Sequence, residues 1–175
     1  MSFVPEEKRA KVVVDLREPA HFIAFGFGSG LAPWAPGTFG TLAAVPLYLL
    51  LAQLSFAAYA AAVVGAIAIG IWACGVSARK LGVHDHHGIV WDEIAGFLLV
   101  MVVAVPTFAN VVAGFVFFRL FDIVKPWPIR WFDQYVHGGF GIMVDDLLAA
   151  VYAALCLVAL QYLWPQLFAL RFFPG

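Results

Sequence analysis

Charge is what this chain has little of. Lysine, arginine, aspartate and glutamate make up 12% of its 175 residues, about half the share of an ordinary soluble domain. The formal net charge is −1 and no dense basic patch occurs, which excludes the electrostatic footprint of a nucleic-acid partner. Cysteine is equally sparse. Cys74 and Cys156 both stand in apolar runs, with no Cys-x-x-Cys or Cys/His spacing. They read as small core residues rather than disulfide partners or metal ligands. A secretory signal is missing from the first twenty residues, which carry Glu6, Glu7, Lys8, Arg9, Lys11, Asp15, Arg17 and Glu18 where an apolar core would stand. Insertion is therefore expected to use internal segments. No internal repeat and no low-complexity tract is present.

What remains is apolar. Hydrophobic residues reach 63% and mean hydropathy is +0.92. The expectation is one all-α domain, residues 1–175: an integral membrane helical bundle with short re-entrant or kinked helices and a polar arm over residues 1–20. Residues 28–41 read as a Gly/Pro loop, with Thr41 as N-cap of the next helix. Residues 42–54 are apolar but span only about 20 Å as a helix, short of the roughly 30 Å hydrocarbon core. Residues 55–78 can cross fully. Residues 94–118, interrupted by Pro106, Thr107 and Asn110, are one kinked span or two short arms. Residues 147–170 form the last span.

Nine of the ten Lys/Arg residues lie before Thr41, at 79–80 or at 119–130. Cytoplasmic loops collect Lys and Arg, so these clusters are expected on one cytoplasmic face. That needs an even number of crossings between them, hence helical hairpins over 42–78 and 94–118.

The charges that do occur are concentrated. Residues 118–146 hold Arg119, Asp122, Lys125, Arg130, Asp133, Asp145 and Asp146, a third of the chain's formal charges. Charge beside lipid marks a functional site by default. Asp92-Glu93 opens one apolar run and Asp145-Asp146 precedes another. One carboxylate would satisfy a helix N-terminus; two adjacent pairs suggest a hard-cation site, and Mg²⁺ favours carboxylate oxygens beside substrate phosphate. The run His137–Gly141 is too glycine-rich for a helix interior, so the chain there is expected to approach a ligand closely. Arg119, Asp122 and Lys125 stand three apart, the spacing of an ion-pair ladder on a helix. Pro126 ends that helix, leaving Lys125 as a free cation suited to a phosphate oxygen. Gly37-Thr38-Phe39-Gly40-Thr41 offers backbone N–H groups and hydroxyls to an anion, although it is not a Walker loop. His84, His86 and His87 flank Asp85 without metal-ligand spacing and read as loop histidines.

GSGLAPWAPGTFGTLAAVP, DHHGIVWDEIAG and FRLFDIVKPWPIRWFDQYVHGGFGIMVDDLLAAVYA together resemble the signature blocks of the phosphatidylglycerophosphatase A family, in order and at suitable spacing. They cover over a third of the chain, and FRxFDxxKPxP with GGxGIMxDD is specific. The resemblance implies a largely α-helical, Mg²⁺-dependent lipid phosphatase of the bacterial inner membrane. It would convert phosphatidylglycerophosphate to phosphatidylglycerol, with that phospholipid and the membrane as its partners. It further implies catalytic roles for Asp92, Glu93, Asp122, Lys125, Asp145 and Asp146. Phosphate contacts would come from Gly37, Thr38, Gly40, Thr41, Lys125 and Arg119, and metal ligation from Asp92, Glu93, Asp145, Asp146 and Asp85. The segment 131–137 departs from the family pattern, carrying Gln134, Tyr135 and His137 where more basic residues are expected.

Other phosphatase chemistries are missing. Neither cysteine opens a Cys-x5-Arg loop, no Asp-x-Asp-x-Thr motif marks a phosphoaspartate, and no Ser-x5-His arrangement marks a histidine nucleophile. A metal-activated water is the preferred attacker, with a direct aspartate nucleophile as the alternative. A transporter would place its charges at mid-span, whereas these are expected at span ends. A non-catalytic scaffold leaves the acidic pairs, the lysine and the Gly/Thr run without a joint use.

Overall fold

The computed structural model describes residues 14–83 and 86–169. Among these residues the chain forms seven α-helices and no strand. They are α1 (Pro19–Ala24), α2 (Pro36–Leu51), α3 (Phe56–Leu81), α4 (Trp91–Val100), α5 (Phe108–Val124), α6 (Ile129–Tyr135) and α7 (Gly138–Leu163), with short 3₁₀ turns between some of them. The expected membrane helical bundle is what the chain forms. The polar arm lies outside the described residues up to position 13, as do His84, Asp85 and residues 170–175.

Helices α3 and α7 are apolar and 26 residues each, about 39 Å of helix against a hydrocarbon core of roughly 30 Å. The Ser55 hydroxyl caps α3 by accepting from the Ala58 N–H at 3.4 Å. Arg79 and Lys80 occupy the last turn of α3 and Gly82 closes it at φ 67°, a conformation that glycine adopts without strain.

In lipid, helices associate by close packing and interhelical hydrogen bonds rather than by the hydrophobic effect. The contact of α3 with α7 follows that rule. A Cβ on Gly139 would strike the Ile71 carbonyl, and one on Gly75 would lie 3.1 Å from Gly139 Cα. This contact corrects the reading of residues 137–141. The glycines form the first turn of α7 rather than a loop; α3 leaves no room for a side chain at Gly139, and the Val136 carbonyl leaves none at Gly141.

Two hairpins organise the remainder: α2–α3 through residues 52–55, and α4–α5 through residues 101–107. The second resolves the ambiguity over 94–118 in favour of two arms. Thr107 Oγ1 caps α5 by accepting from the Asn110 N–H at 3.1 Å. Asn110 Nδ2 donates to the Val105 carbonyl at 2.9 Å, and Gln161 of α7 donates to Asn110 Oδ1 at 2.9 Å. Thr41 is not an N-cap. The helix begins at Pro36, with Ala35 as its left-handed cap residue, and Thr41 sits inside it.

Residues from both hairpin turns line one cavity of about 280 Å³ that has no acidic or basic side chain. Tyr48 and Tyr59 donate there to the carbonyls of Ala104 and Leu98, at 3.2 and 2.7 Å. With both turns at one end, the start of α2, the end of α3, the start of α4, the end of α5 and the start of α7 converge at the other. Cysteines placed at Val83 and Gln134, in a Cys74→Ala/Cys156→Ala background, should react with an impermeant maleimide from the same side of the membrane. Labelling from opposite sides would contradict this convergence.

Candidate active site

The acidic groups lie deeper than the ends of the helices. Trp91 Nε1 donates to the Ala66 carbonyl at 2.8 Å, so α4 starts beside the middle of α3. The expected placement of Asp92 and Glu93 in the first turn of α4 holds. Asp145 and Asp146 are instead the eighth and ninth residues of α7, about 11 Å along it. This differs from the expected position at a helix start, because α7 begins at the glycines rather than after them.

A cleft of about 360 Å³ brings together Gly37, His87, Asp92, Glu93, Arg119, Asp122, Lys125, Asp145 and Asp146. Residues of the stretch 28–41, the Asp92-Glu93 pair and the charged stretch 118–146 therefore meet; Asp85 lies outside the described residues. Asp92, Glu93 and Asp146 each offer a carboxylate oxygen, and these oxygens lie within 4.8 Å of one another. Asp92 and Asp146 are buried, at 9% and 3% exposure. Asp92 Oδ1, Glu93 Oε2 and Asp146 Oδ2 have no hydrogen-bond partner among the described residues. Like charges so close and out of water repel strongly unless positive charge is supplied.

Two permanent cations line the cleft. Arg119 Nη1 lies 2.5 Å from Asp122 and 3.6 Å from Glu93, as the three-residue spacing implied. Its Nε has no hydrogen-bond partner among the described residues. Lys125 is not the free cation expected from the sequence. Its ammonium donates to Asp133 and to Asp145, each at 2.6 Å. Burial pulls the Lys125 ammonium down in pKa, but Asp145 and Asp133 outweigh that and raise it, so it stays charged. The sequence places Asp133 among the concentrated charges but gives no sign of its pairing with Lys125, because two prolines separate them and helical periodicity does not cross. Asp145, expected among the metal ligands, thus has one oxygen on Lys125 and stands apart from the close trio.

Lys125 caps α5 in the left-handed conformation, φ 45°. A non-glycine residue there costs on the order of 1 kcal/mol or more, and such outliers gather at functional sites. The backbone turn carries the side chain to the two carboxylates and into the cleft.

Of the expected Gly/Thr phosphate run, Gly37 alone lines the cleft. A Cβ at Gly37 would collide with Glu93 Oε1 and lie 3.0 Å from Arg119 Nη1. Thr41 is fully buried and its hydroxyl donates to the Gly37 carbonyl at 2.9 Å. Gly40 packs against Val90, where a Cβ would lie 2.7 Å from the valine Cβ. Thr38 is partly buried and does not line the cleft. His86 and His87 stack at 4.6 Å, and His87 borders the cleft.

The family model for phosphatidylglycerophosphatase A matches residues 22–161, which include every residue of the cleft. The chain belongs to the phosphatidylglycerophosphatase A family. It is 46% identical over 168 residues to phosphatidylglycerophosphatase A of Escherichia coli (strain K12), covering 94% of this chain and 97% of that relative. It is 43% identical over 152 residues to the protein of the same name from Haemophilus influenzae, covering 85% and 93%. No solved structure matches. Membership makes the chain a phosphoric monoester hydrolase, and two apolar helices of spanning length associate it with the membrane.

Two substitutions test the cleft. Gly37→Ala forces Glu93 and Arg119 apart, and a displacement near 1 Å costs up to about a hundredfold in rate. The variant should lose tenfold or more in kcat, read as phosphate release. Lys125→Arg keeps both ion pairs and should hold the thermal midpoint. Its planar fork replaces a compact ammonium, so kcat should still fall at least tenfold. A midpoint that falls with the rate would make Lys125 a packing residue.

Proposed function

We propose that this protein is a Mg²⁺-dependent phosphatidylglycerophosphatase of the bacterial inner membrane, with its cleft facing the cytoplasm. It removes the terminal phosphate monoester of phosphatidylglycerophosphate and leaves phosphatidylglycerol. The observation that carries the reading is the trio Asp92, Glu93 and Asp146, buried, mutually close and with unpartnered oxygens, beside Arg119 and Lys125.

The donor set fits the metal. Oxygen ligands without sulfur or nitrogen suit a hard divalent cation. Asp92, Glu93 and Asp146 would hold it, directly or through water, with Asp145 beside them. Bound there, Mg²⁺ would neutralise phosphoryl charge and lower the pKa of a coordinated water.

The chain's own residues supply the remaining functions. Arg119 presents its unpartnered Nε to a phosphoryl oxygen while Asp122 fixes the guanidinium plane. Lys125 has one buried partner, Asp145, and one more exposed partner, Asp133, with side-chain exposures of 9% and 38%. Substrate phosphate displaces the exposed partner at less cost and places the ammonium on the developing negative charge. Such contacts act mainly in the transition state and are worth about a hundredfold or more each. Water is the attacker, and the cleft carboxylates and His87 are the groups available to take its proton. Arg79, Lys80, Arg119, Lys125 and Arg130, gathered at the cleft end of the bundle, support the cytoplasmic orientation.

Purified protein should release phosphate from phosphatidylglycerophosphate, lose that activity in EDTA and regain it with Mg²⁺. Asp92→Asn and Asp146→Asn should each lose at least a hundredfold in kcat at saturating Mg²⁺ with the fold intact by circular dichroism. Near-normal turnover in EDTA, or in both variants, would overturn the metal reading.

A further inference from the structure

Beside the cleft lies a second cavity of about 510 Å³, and Lys125 lines both. Its wall comprises Lys125, Trp127, Arg130, Trp131, Gln134 and Tyr135 together with Val124 and Pro126. The chemistry of the two neighbours is opposite. Five carboxylates line the cleft, whereas none lines the second cavity. Arg130 has no ion-pair or hydrogen-bond partner among the described residues, unlike Arg119 and Lys125.

Helix α6 sets this wall. Arg130 and Gln134 are four apart and share one stripe of the helix, and Trp131 and Tyr135 share the next. The rings of that second pair lie 5.4 Å apart. Trp127 is 81% and Tyr135 66% exposed, as side chains are at a membrane–water interface. A cavity with one unpaired cation, Arg130, with an amide and aromatic faces, and with no acidic group in its wall, suits a single anion attached to a short polyol. Arginine binds phosphate through two parallel N–H donors, the amide meets hydroxyls, and ring faces pack on C–H groups.

We propose that this cavity is the headgroup subsite, and that Arg130 binds the phosphodiester of the same lipid whose monoester is cleaved. The inference rests on the proposed function, because that substrate carries two phosphates joined by a glycerol, one for each cavity. Lys125, at the shared wall, sits between them. The subsite gives specificity: a lipid with a monoester and no diester reaches the cleft but leaves Arg130 without an anion. Charged groups that recognise one part of a substrate discriminate against analogues lacking it.

The test compares phosphatidylglycerophosphate with phosphatidic acid, which has the monoester alone, in uncharged detergent micelles free of other anionic lipid. Arg130→Gln should lower kcat/KM for phosphatidylglycerophosphate by at least tenfold more than for phosphatidic acid, at an unchanged thermal midpoint. Phosphatidylglycerol, which keeps the diester and lacks the monoester, should inhibit the wild type, with an inhibition constant at least tenfold higher in the variant. Arg130→Lys should recover part of both effects. Equal losses on the two substrates with an unmoved inhibition constant would overturn the subsite, as would no loss at all. If added phosphatidylglycerol instead stimulates the wild type on both substrates, and not the variant, the cavity holds a neighbouring lipid and the assignment to the substrate fails. A wild type that cleaves phosphatidic acid but is inert on phosphatidylglycerophosphate would overturn the proposed function itself. Turnover of phosphatidylglycerophosphate with an unmoved ratio overturns the subsite alone.

Discussion

Five carboxylates face one cleft, and two permanent cations are set among them. Removing an ionised carboxylate from water costs several kcal/mol even after relaxation, unless charge and hydrogen bonds replace the solvent. Arg119 is engaged with Asp122 and leans towards Glu93, while Lys125 is shared by Asp145 and Asp133. Asp92 and Asp146 have no cationic side chain of the described chain within ion-pair distance. That imbalance is the constraint on which the surrounding structure depends. A fold selected for stability alone would replace the trio with apolar side chains of similar volume. In the function proposed above, a bound divalent cation supplies the positive charge that the trio lacks.

The bundle makes this arrangement possible by close backbone approach. Gly37 admits the start of α2 to Glu93 and Arg119, and Gly75 with Gly139 lets α3 and α7 meet without intervening side chains. The phenyl ring of Phe118 fills the space left by Gly96, where a Cβ would lie 2.7 Å from it, so α4 and α5 bring Glu93 and Arg119 within ion-pair reach. Each glycine costs roughly 1 kcal/mol of helix propensity. In lipid, where apolar burial gives little drive between helices, packing at these contacts offsets that cost.

Much of this was legible in the sequence. Clustering of Lys and Arg implied an even number of crossings, and the two hairpins follow from it. Asp92 and Glu93 fall where the apolar run begins, and Arg119 meets Asp122 at helical spacing. The failures share a cause. Glycine suggests a loop when only local propensity is weighed, which makes the starts of α2 and α7 look irregular. On that reading Thr41 becomes a cap, and Asp145 and Asp146 a helix start. The contacts that make those glycines helical come from α4, α5 and α3, far away in the chain. The Lys125–Asp133 pair is similarly invisible, since Pro126 and Pro128 separate its members and no periodicity crosses them.

The depth of the carboxylates bears on how a lipid reaches them. Helices α3 and α7 exceed the hydrocarbon core by about 9 Å, and Asp145 and Asp146 lie about 11 Å below the first residue of α7. If that excess projects from the cleft end, the acidic groups fall near the boundary between acyl chains and headgroups. A lipid phosphate lies in the headgroup region just outside that boundary. Encounter is then lateral diffusion in two dimensions, with no work of extraction. The rate should follow the mole fraction of substrate in the surface, and diluting the bilayer with inert lipid should slow the enzyme where diluting the whole suspension does not.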